Sequence, residues 1–300
     1  MPKLRLLAHA KVNLTLEVFA RRYDGFHEIR SLMVPIALAD RIVLRPEGRG
    51  LKLTVTGAPE LERTDNLALR AARAFQDTFG LRGGLSIQLD KRVPIAAGLG
   101  GGSSDAGAVL RGLATLNGVQ LDRLMPIAEA LGSDVPFFVR ERPAWATGRG
   151  EQLAPAFRLP GLHLLLVKPT FGIAAADAYR AWRAPTLTHR SADVTSRPGR
   201  RSGWNAVRTA SQVGKLLVND LQAGCLGLRP ELGPLLTRLN RSGAAGVLMS
   251  GSGSTCFAVF SSAPALERGR RLFRPQAGET VLATRTLPGP TRAGRGSWVT

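Results

Sequence analysis

Two stretches of this chain carry residue types suited to moving a phosphate. The first is Pro94-Ile95-Ala96-Ala97-Gly98-Leu99-Gly100-Gly101-Gly102-Ser103-Ser104-Asp105, a glycine-rich run closed by two serines and an aspartate at the start of a helical pattern. Glycines reach backbone angles closed to other residues and let a ligand approach the main chain. The free amides of a helix start carry about half a positive charge. Together they make a cradle for phosphate. The second stretch is Gly132-Ser133-Asp134-Val135-Pro136, where a carboxylate at a helix end meets the apolar run Val135–Phe138, read as strand-like. A partly desolvated carboxylate there calls for a positive partner, and Lys11 is a candidate; a plain turn aspartate in water is the alternative.

The elements around them fit that use. Residues 4–18 alternate apolar and polar, the pattern of a half-buried strand. Lys11 and Asn13 then share one face, roughly 7 Å apart, either turned to a site or merely to solvent. The turn Arg22-Tyr23-Asp24-Gly25 leads to Phe26-His27, a ring and an imidazole that could hold a planar base or simply cap a strand. Thr64-Asp65-Asn66 caps a helix through Phe79, and Leu85–Leu89 is a strand running into the glycine loop. The order strand, glycine loop, helix is what a phosphate loop needs. It lacks the Gly-Lys-Ser/Thr ending of a Walker loop and the distal acid of a dinucleotide fingerprint.

Composition bounds the remaining possibilities. With 300 residues, 44% of them hydrophobic, the chain supports one large or two ordinary globular domains. Cys225 and Cys256 are too few for a disulfide framework, and four scattered histidines show no metal-ligand spacing. No segment is apolar enough to span a bilayer, and the early apolar run is interrupted by His9 and Lys11, so no membrane association and a cytoplasmic location are expected. The excess of 41 Lys and Arg over 22 acids suits a nucleic acid, an anionic membrane or phosphorylated substrates, or is simply an arginine-rich surface, since aromatic residues are rarely interleaved with the charge; nucleic acid is the lesser alternative for function. A composition shift near Gly148–Pro160 divides the chain into 1–157 and 158–300. Residues 184–215 read as a mobile basic insertion, and 288–300 as a disordered tail.

The glycine loop, together with Ala10-Lys11-Val12-Asn13-Leu14, Asp24-Gly25-Phe26-His27, Gly132-Ser133-Asp134-Val135-Pro136 and Ser250-Gly251-Ser252-Gly253, resembles the motif set of the GHMP kinases, in order across residues 10–260. The resemblance implies a two-domain α+β fold: a ribosomal-protein-like N-terminal domain and a ferredoxin-like C-terminal α/β sandwich. It implies ATP with Mg2+, and, within the superfamily, a small cytidine diphosphate substrate phosphorylated on a tertiary hydroxyl for isoprenoid-precursor synthesis. Mevalonate- or homoserine-type kinases are the alternatives, and Asp24-Gly25-Phe26-His27 argues against them. By the same resemblance Asp134 is the general base and Lys11 its charged partner. Residues 94–104 hold the phosphates, Asn66 and Lys91 lie near adenine, and Asn13, Phe26, His27 and Tyr179 meet the acceptor substrate. Three departures stand out. Phe26 replaces a common tyrosine, Ala96-Ala97 replaces extra glycines, and Asp105 stands where a neutral residue is common. Metal ligands and the choice between monomer and homodimer stay open.

Overall fold

The computed structural model describes residues 3–156, 159–182 and 203–287. Two long strands, β1 (Leu4–Arg21) and β2 (His27–Glu47), form an antiparallel hairpin with Leu4 opposite Leu44. Beyond β2 lie β4 (Gly84–Asp90), antiparallel, and β3 (Leu51–Thr56), parallel to β4. The first half of β2 also pairs with β5 (Ala144–Thr147), which pairs in turn with β6 (Gln152–Pro155). Helices α1 (Leu67–Phe79) and α2 (Gly101–Asn117) cover this sheet, followed by the short α3 (Met125–Leu131) and α4 (Val135–Arg140). Asn66 starts α1 by accepting the Ala68 amide at 2.9 Å, and Gly80, at φ +67°, ends it. Ala68, Leu69, Ala72 and Phe75 make one buried stripe between these ends.

A second sheet holds β7 (His163–Lys168), β9 (Gly246–Met249), β10 (Cys256–Phe260) and β11 (Thr280–Arg285) in the order β11-β7-β10-β9, every neighbour antiparallel. Taken as strands one to four, the order is four-one-three-two, the ferredoxin-like arrangement expected from the resemblance. Helices α5 (Ala175–Ala181), α6 (Ala210–Leu216), α7 (Leu221–Leu228) and α8 (Leu232–Asn240) fall between β7 and β9, and α9 (Ala263–Leu272) between β10 and β11. The division expected at residue 157 falls on residues outside the described set. The two halves interleave at β8 (Val218–Asn219), which leaves the second half to lie parallel to β1 at Thr15 and Leu16.

Three expectations are corrected. The alternation of β1 predicts one wet face, yet residues 10–19 are buried on both. Ala10, Val12 and Leu14 pack with Leu164, Leu166 and Phe257 of the second sheet. The polar face is closed by its own bonds: Asn13 Nδ2 donates to Ser31 Oγ (2.7 Å), and Arg30 Nε donates to Glu17 Oε2 (2.7 Å). Second, Val135–Phe138 is not a strand but most of α4, whose first turn takes Pro136. Third, the stretch read as a basic insertion is packed over 203–215, the rest of it lying outside the described residues, as does the expected tail 288–300. Thr209 and Gln212 form a reciprocal capping box at α6, and Trp204, Val207 and Val213 enter the core between the sheets. Trp204 is only 3% exposed. Trp204→Ala is therefore expected to cost about 3–5 kcal/mol of folding stability, read as a lowered urea midpoint; an unchanged midpoint would restore the loose-insertion view.

Candidate active site

β4 ends at Asp90, and the glycine loop turns from it into α2. Gly98 (φ +73°) and Gly100 (φ +71°) take the left-handed conformation that the composition predicts. Ala96 does so as well, at φ +50°, where an alanine costs about 1 kcal/mol; this is how the chain accommodates its replacement of the extra glycines. The loop is pinned from both halves of the molecule. Lys11 N donates to Leu99 O (3.0 Å), Thr255 N to Ala97 O (3.2 Å) and Ser250 Oγ to Gly98 O (3.1 Å). Ala97 and Leu99 point into the core, while Ile95, Ala96 and Gly102 are exposed and Pro94, Gly98, Gly100, Gly101 and Ser103 half-buried. The first amides of α2, whose helical partners do not exist, end the loop on its open side.

Two bulges in the β1–β2 register bracket Lys11 and Asn13. Lys11 is almost wholly buried; its Nζ donates to Asn13 Oδ1 at 2.6 Å and lies 3.7 Å from Asp134 Oδ2. Its stem runs under Gly100, where a Cβ would stand 3.3 Å from Lys11 Cε and 2.6 Å from the Phe138 ring. Gly251 closes from the other half: a Cβ there would meet Lys11 Nζ at 3.2 Å and Asn13 Oδ1 at 3.1 Å. Asp134 immediately precedes α4, so the local peptide dipole favours a negative charge there. Its side chain keeps 35% of its surface exposed.

The base-binding pair expected at Phe26 and His27 meets α5. His27 Nδ1 donates to Phe19 O at 3.1 Å, which leaves Nε2 as the free ring nitrogen. The His27 ring stacks on Tyr179 (centroids 5.8 Å apart, planes 12° from parallel) and takes the edge of Trp182 at 5.1 Å. Burial, with the Asp134 charge second, pushes the Tyr179 phenol up, so this ring faces the carboxylate as a neutral group. Phe26 is 51% exposed, with the Arg149 guanidinium 5.1 Å from its ring centre. Gly150, next to Arg149, borders Asp134: a Cβ there would lie 3.8 Å from Oδ1.

Three expected nucleotide contacts have side chains committed elsewhere. Asn66 spends its amide on the α1 cap and on Leu61 O at 3.0 Å. Ser104 is fully buried and donates its hydroxyl to His9 O at 2.6 Å. Lys91 lies beneath the loop, clasped by Asp40 (2.6 Å) and Asp105 (2.8 Å). The sequence reading missed Asp40, Trp182 and Asn219. Asn219 Nδ2 donates to Met249 O (2.8 Å) and Gly251 O (2.7 Å), fixing the turn that covers Lys11. Trp182 had a signal, the three-residue spacing from Tyr179; Asp40 and Asn219 had none. Among the described residues no group of three or more His, Cys, Asp or Glu could hold a metal ion, and no helix is long and apolar enough to cross a membrane.

A glycine loop pinned between a mixed sheet and a ferredoxin-like sheet, with a lysine–aspartate pair beside it, is the arrangement that the resemblance to the GHMP kinases implies. Models of the superfamily match two stretches of the chain: the GHMP kinases N terminal domain over residues 66–142 and the GHMP kinases C terminal domain over 206–274. The 4-diphosphocytidyl-2-C-methyl-D-erythritol kinase of Anaeromyxobacter dehalogenans is 46% identical over 95% of this chain and 91% of its own length. A crystal structure of 4-(cytidine 5'-diphospho)-2C-methyl-D-erythritol kinase superposes with a TM-score of 0.79 at 36% identity, covering 96% of this chain and all of the other. Homoserine kinase from Cytophaga hutchinsonii, at 18% identity and a TM-score of 0.67 over 96% of both chains, shares the fold alone. The chain belongs to the 4-diphosphocytidyl-2-C-methyl-D-erythritol kinase family, a branch of the GHMP kinases.

Proposed function

We propose that the protein transfers the γ-phosphoryl group of ATP to the tertiary 2-hydroxyl of 4-(cytidine 5'-diphospho)-2-C-methyl-D-erythritol. The observation that carries this reading is Asp134, half-open and 3.7 Å from the Lys11 ammonium, set between the mouth of the phosphate loop and the His27–Tyr179 stack. The half before residue 157 supplies most of the donor site and the later half closes it. Asp134 accepts the hydroxyl proton as the oxygen–phosphorus bond forms and the bond to the ADP oxygen breaks. Lys11, oriented by Asn13, favours the ionised carboxylate and the developing alkoxide. The loop amides and the start of α2 face the charge that gathers on the transferred group. Magnesium would accompany ATP as part of the substrate and would neutralise phosphate charge.

Phe26 and His27 select the cytosine: the open ring stacks on it and His27 Nε2 accepts a hydrogen bond, with Tyr179 on the far side. Base stacking on an aromatic side chain is worth about 1–3 kcal/mol. Phe26→Ala should thus raise KM for the cytidine substrate roughly tenfold while kcat changes by less; a kcat loss at unchanged KM would remove Phe26 from base binding. The free, buried thiols of Cys225 and Cys256 suit a reducing compartment, and we assign the cytoplasm. The reading as a whole is tested by offering the purified protein ATP with the cytidine substrate, mevalonate or homoserine and following ADP release. Rapid turnover of the first is expected. Turnover of either other alcohol without the first would overturn the assignment.

A further inference from the structure

Directly beneath the phosphate loop lies a buried cluster of one cation and two carboxylates. Lys91, the first residue after β4, is 5% exposed at its side chain, and its Nζ lies 3.3 Å from where a Gly101 Cβ would stand, under the first residue of α2. Asp40 of β2 is fully buried and met by three donors, Lys91 Nζ (2.6 Å) and the amides of Arg92 (2.5 Å) and Val93 (2.8 Å). Asp105, in the second turn of α2, is equally closed off but among the described residues has a single donor, Lys91 Nζ at 2.8 Å, and its Oδ1 is buried with no partner among them. One lysine therefore serves two carboxylates, and the one in the nucleotide-binding helix is left short. An anionic oxygen buried without a donor is costly, whereas a protonated one costs far less.

We propose that Asp105 is a positioning residue coupled to the nucleotide: with Lys91 and Asp40 it braces the end of β4 against the start of α2, and it takes up a proton when a triphosphate occupies the loop. The proposal rests on the loop being the ATP site. The charged groups that face Asp105 are Lys91, from the end of β4, and Asp40, from β2. Burial pushes Asp105 up to about 8, against the pull of Lys91 and with the help of Asp40. Burial would lower Lys91, but Asp105 and Asp40 outweigh it and hold the ammonium above the ordinary lysine value. Near neutrality the free protein thus holds Asp105 at the edge of ionisation. A triphosphate held by the loop adds negative charge above this cluster and shifts the balance to the neutral acid. By linkage, nucleotide affinity falls as pH rises through the free-state titration, because the bound form holds more protons.

The test is calorimetric titration of the full chain with ATP and saturating magnesium, without an alcohol acceptor, in buffers of different ionisation heat. Binding itself reports on the loop as the nucleotide site; the slope of heat against buffer ionisation heat counts protons separately. Fractional proton uptake is expected at pH 8 and less near pH 6.5, because burial raises the Asp105 carboxyl and the free form is closer to neutral at the lower pH. The dissociation constant should weaken several-fold between about pH 7 and pH 9. Asp105→Asn, a neutral isostere that cannot titrate, should bind ATP with neither the uptake nor the pH dependence, whatever its affinity. Binding without uptake at pH 8, or with proton release, overturns the proposal while leaving the nucleotide site intact. Should the variant not fold, the pH profile of the parent decides alone. Absence of binding would instead strike the reading of the loop.

Discussion

Replacing Asp134 by asparagine is expected to lower kcat by ~10²- to 10⁴-fold, the scale of a lost general base, while the protein folds and binds ATP as before. The side chain makes this separation possible. Asp134 is partly exposed, so the isosteric amide keeps the shape of the site, and the cost of leaving the buried Lys11 ammonium without its carboxylate falls on stability rather than on the fold. Lys11 keeps its stronger attachment, the 2.6 Å bond to Asn13, and so stays in place. What disappears is the proton acceptor. A tertiary alcohol is a weak nucleophile, and without a carboxylate its proton has to leave to water late in the reaction. The loss corresponds to about 3–5 kcal/mol in activation free energy. It should fall on kcat with little change in the KM for ATP, as measured by initial rates alongside nucleotide titration. Turnover within tenfold of the parent would assign the proton to another group and leave Asp134 a charge partner of Lys11.

The donor half of this site was legible in the sequence because its demands are local. Gly98 and Gly100 are glycines since their backbone angles admit little else, and the strand before and helix after them announce themselves by period. The acceptor half was not. Alternation shows that Lys11 and Asn13 share a face but cannot show what covers it; the cover is Gly251, held by Asn219, more than two hundred residues away. Val135–Phe138 is too short and too apolar for period to separate helix from strand, and Pro136 was the one start signal against the strand reading. Trp204 stood among arginines whose charge suggested solvent, though one buried indole was enough to anchor the segment. Spacing along the chain gives no warning that Lys91 and Asp105, on opposite sides of the loop, meet beneath it. The residues alone pointed to a nucleotide; the choice of alcohol came through the resemblance and is supported by the His27–Tyr179 stack.

Gly98→Ala should weaken ATP binding by more than tenfold and lower the thermal midpoint by several degrees, ~4–8 °C for each kcal/mol lost in a small domain and about half that in a larger one. Ala96 provides the internal comparison. It holds a left-handed φ of +50° with its methyl group exposed, so conformation alone costs only about 1 kcal/mol and the loop tolerates it. At Gly98 the same conformational cost comes with a collision. A Cβ would approach Gly253 O at 2.8 Å and Ser250 O more closely still. Neither oxygen is the end of a flexible side chain. Both belong to a turn locked by Ser250 N to Thr255 O and Gly253 N to Ser250 O, each at 2.9 Å. The methyl can be housed only by moving that turn away from the loop. Doing so strains the Ser250–Gly98 and Thr255–Ala97 bonds and lifts Gly251 from Lys11. Both the phosphate cradle and the catalytic pair should then loosen together, with KM for ATP rising and kcat falling in one variant. An unchanged thermal midpoint with parental ATP affinity would mean that the turn at 250–254 yields freely and is no part of the phosphate-binding wall.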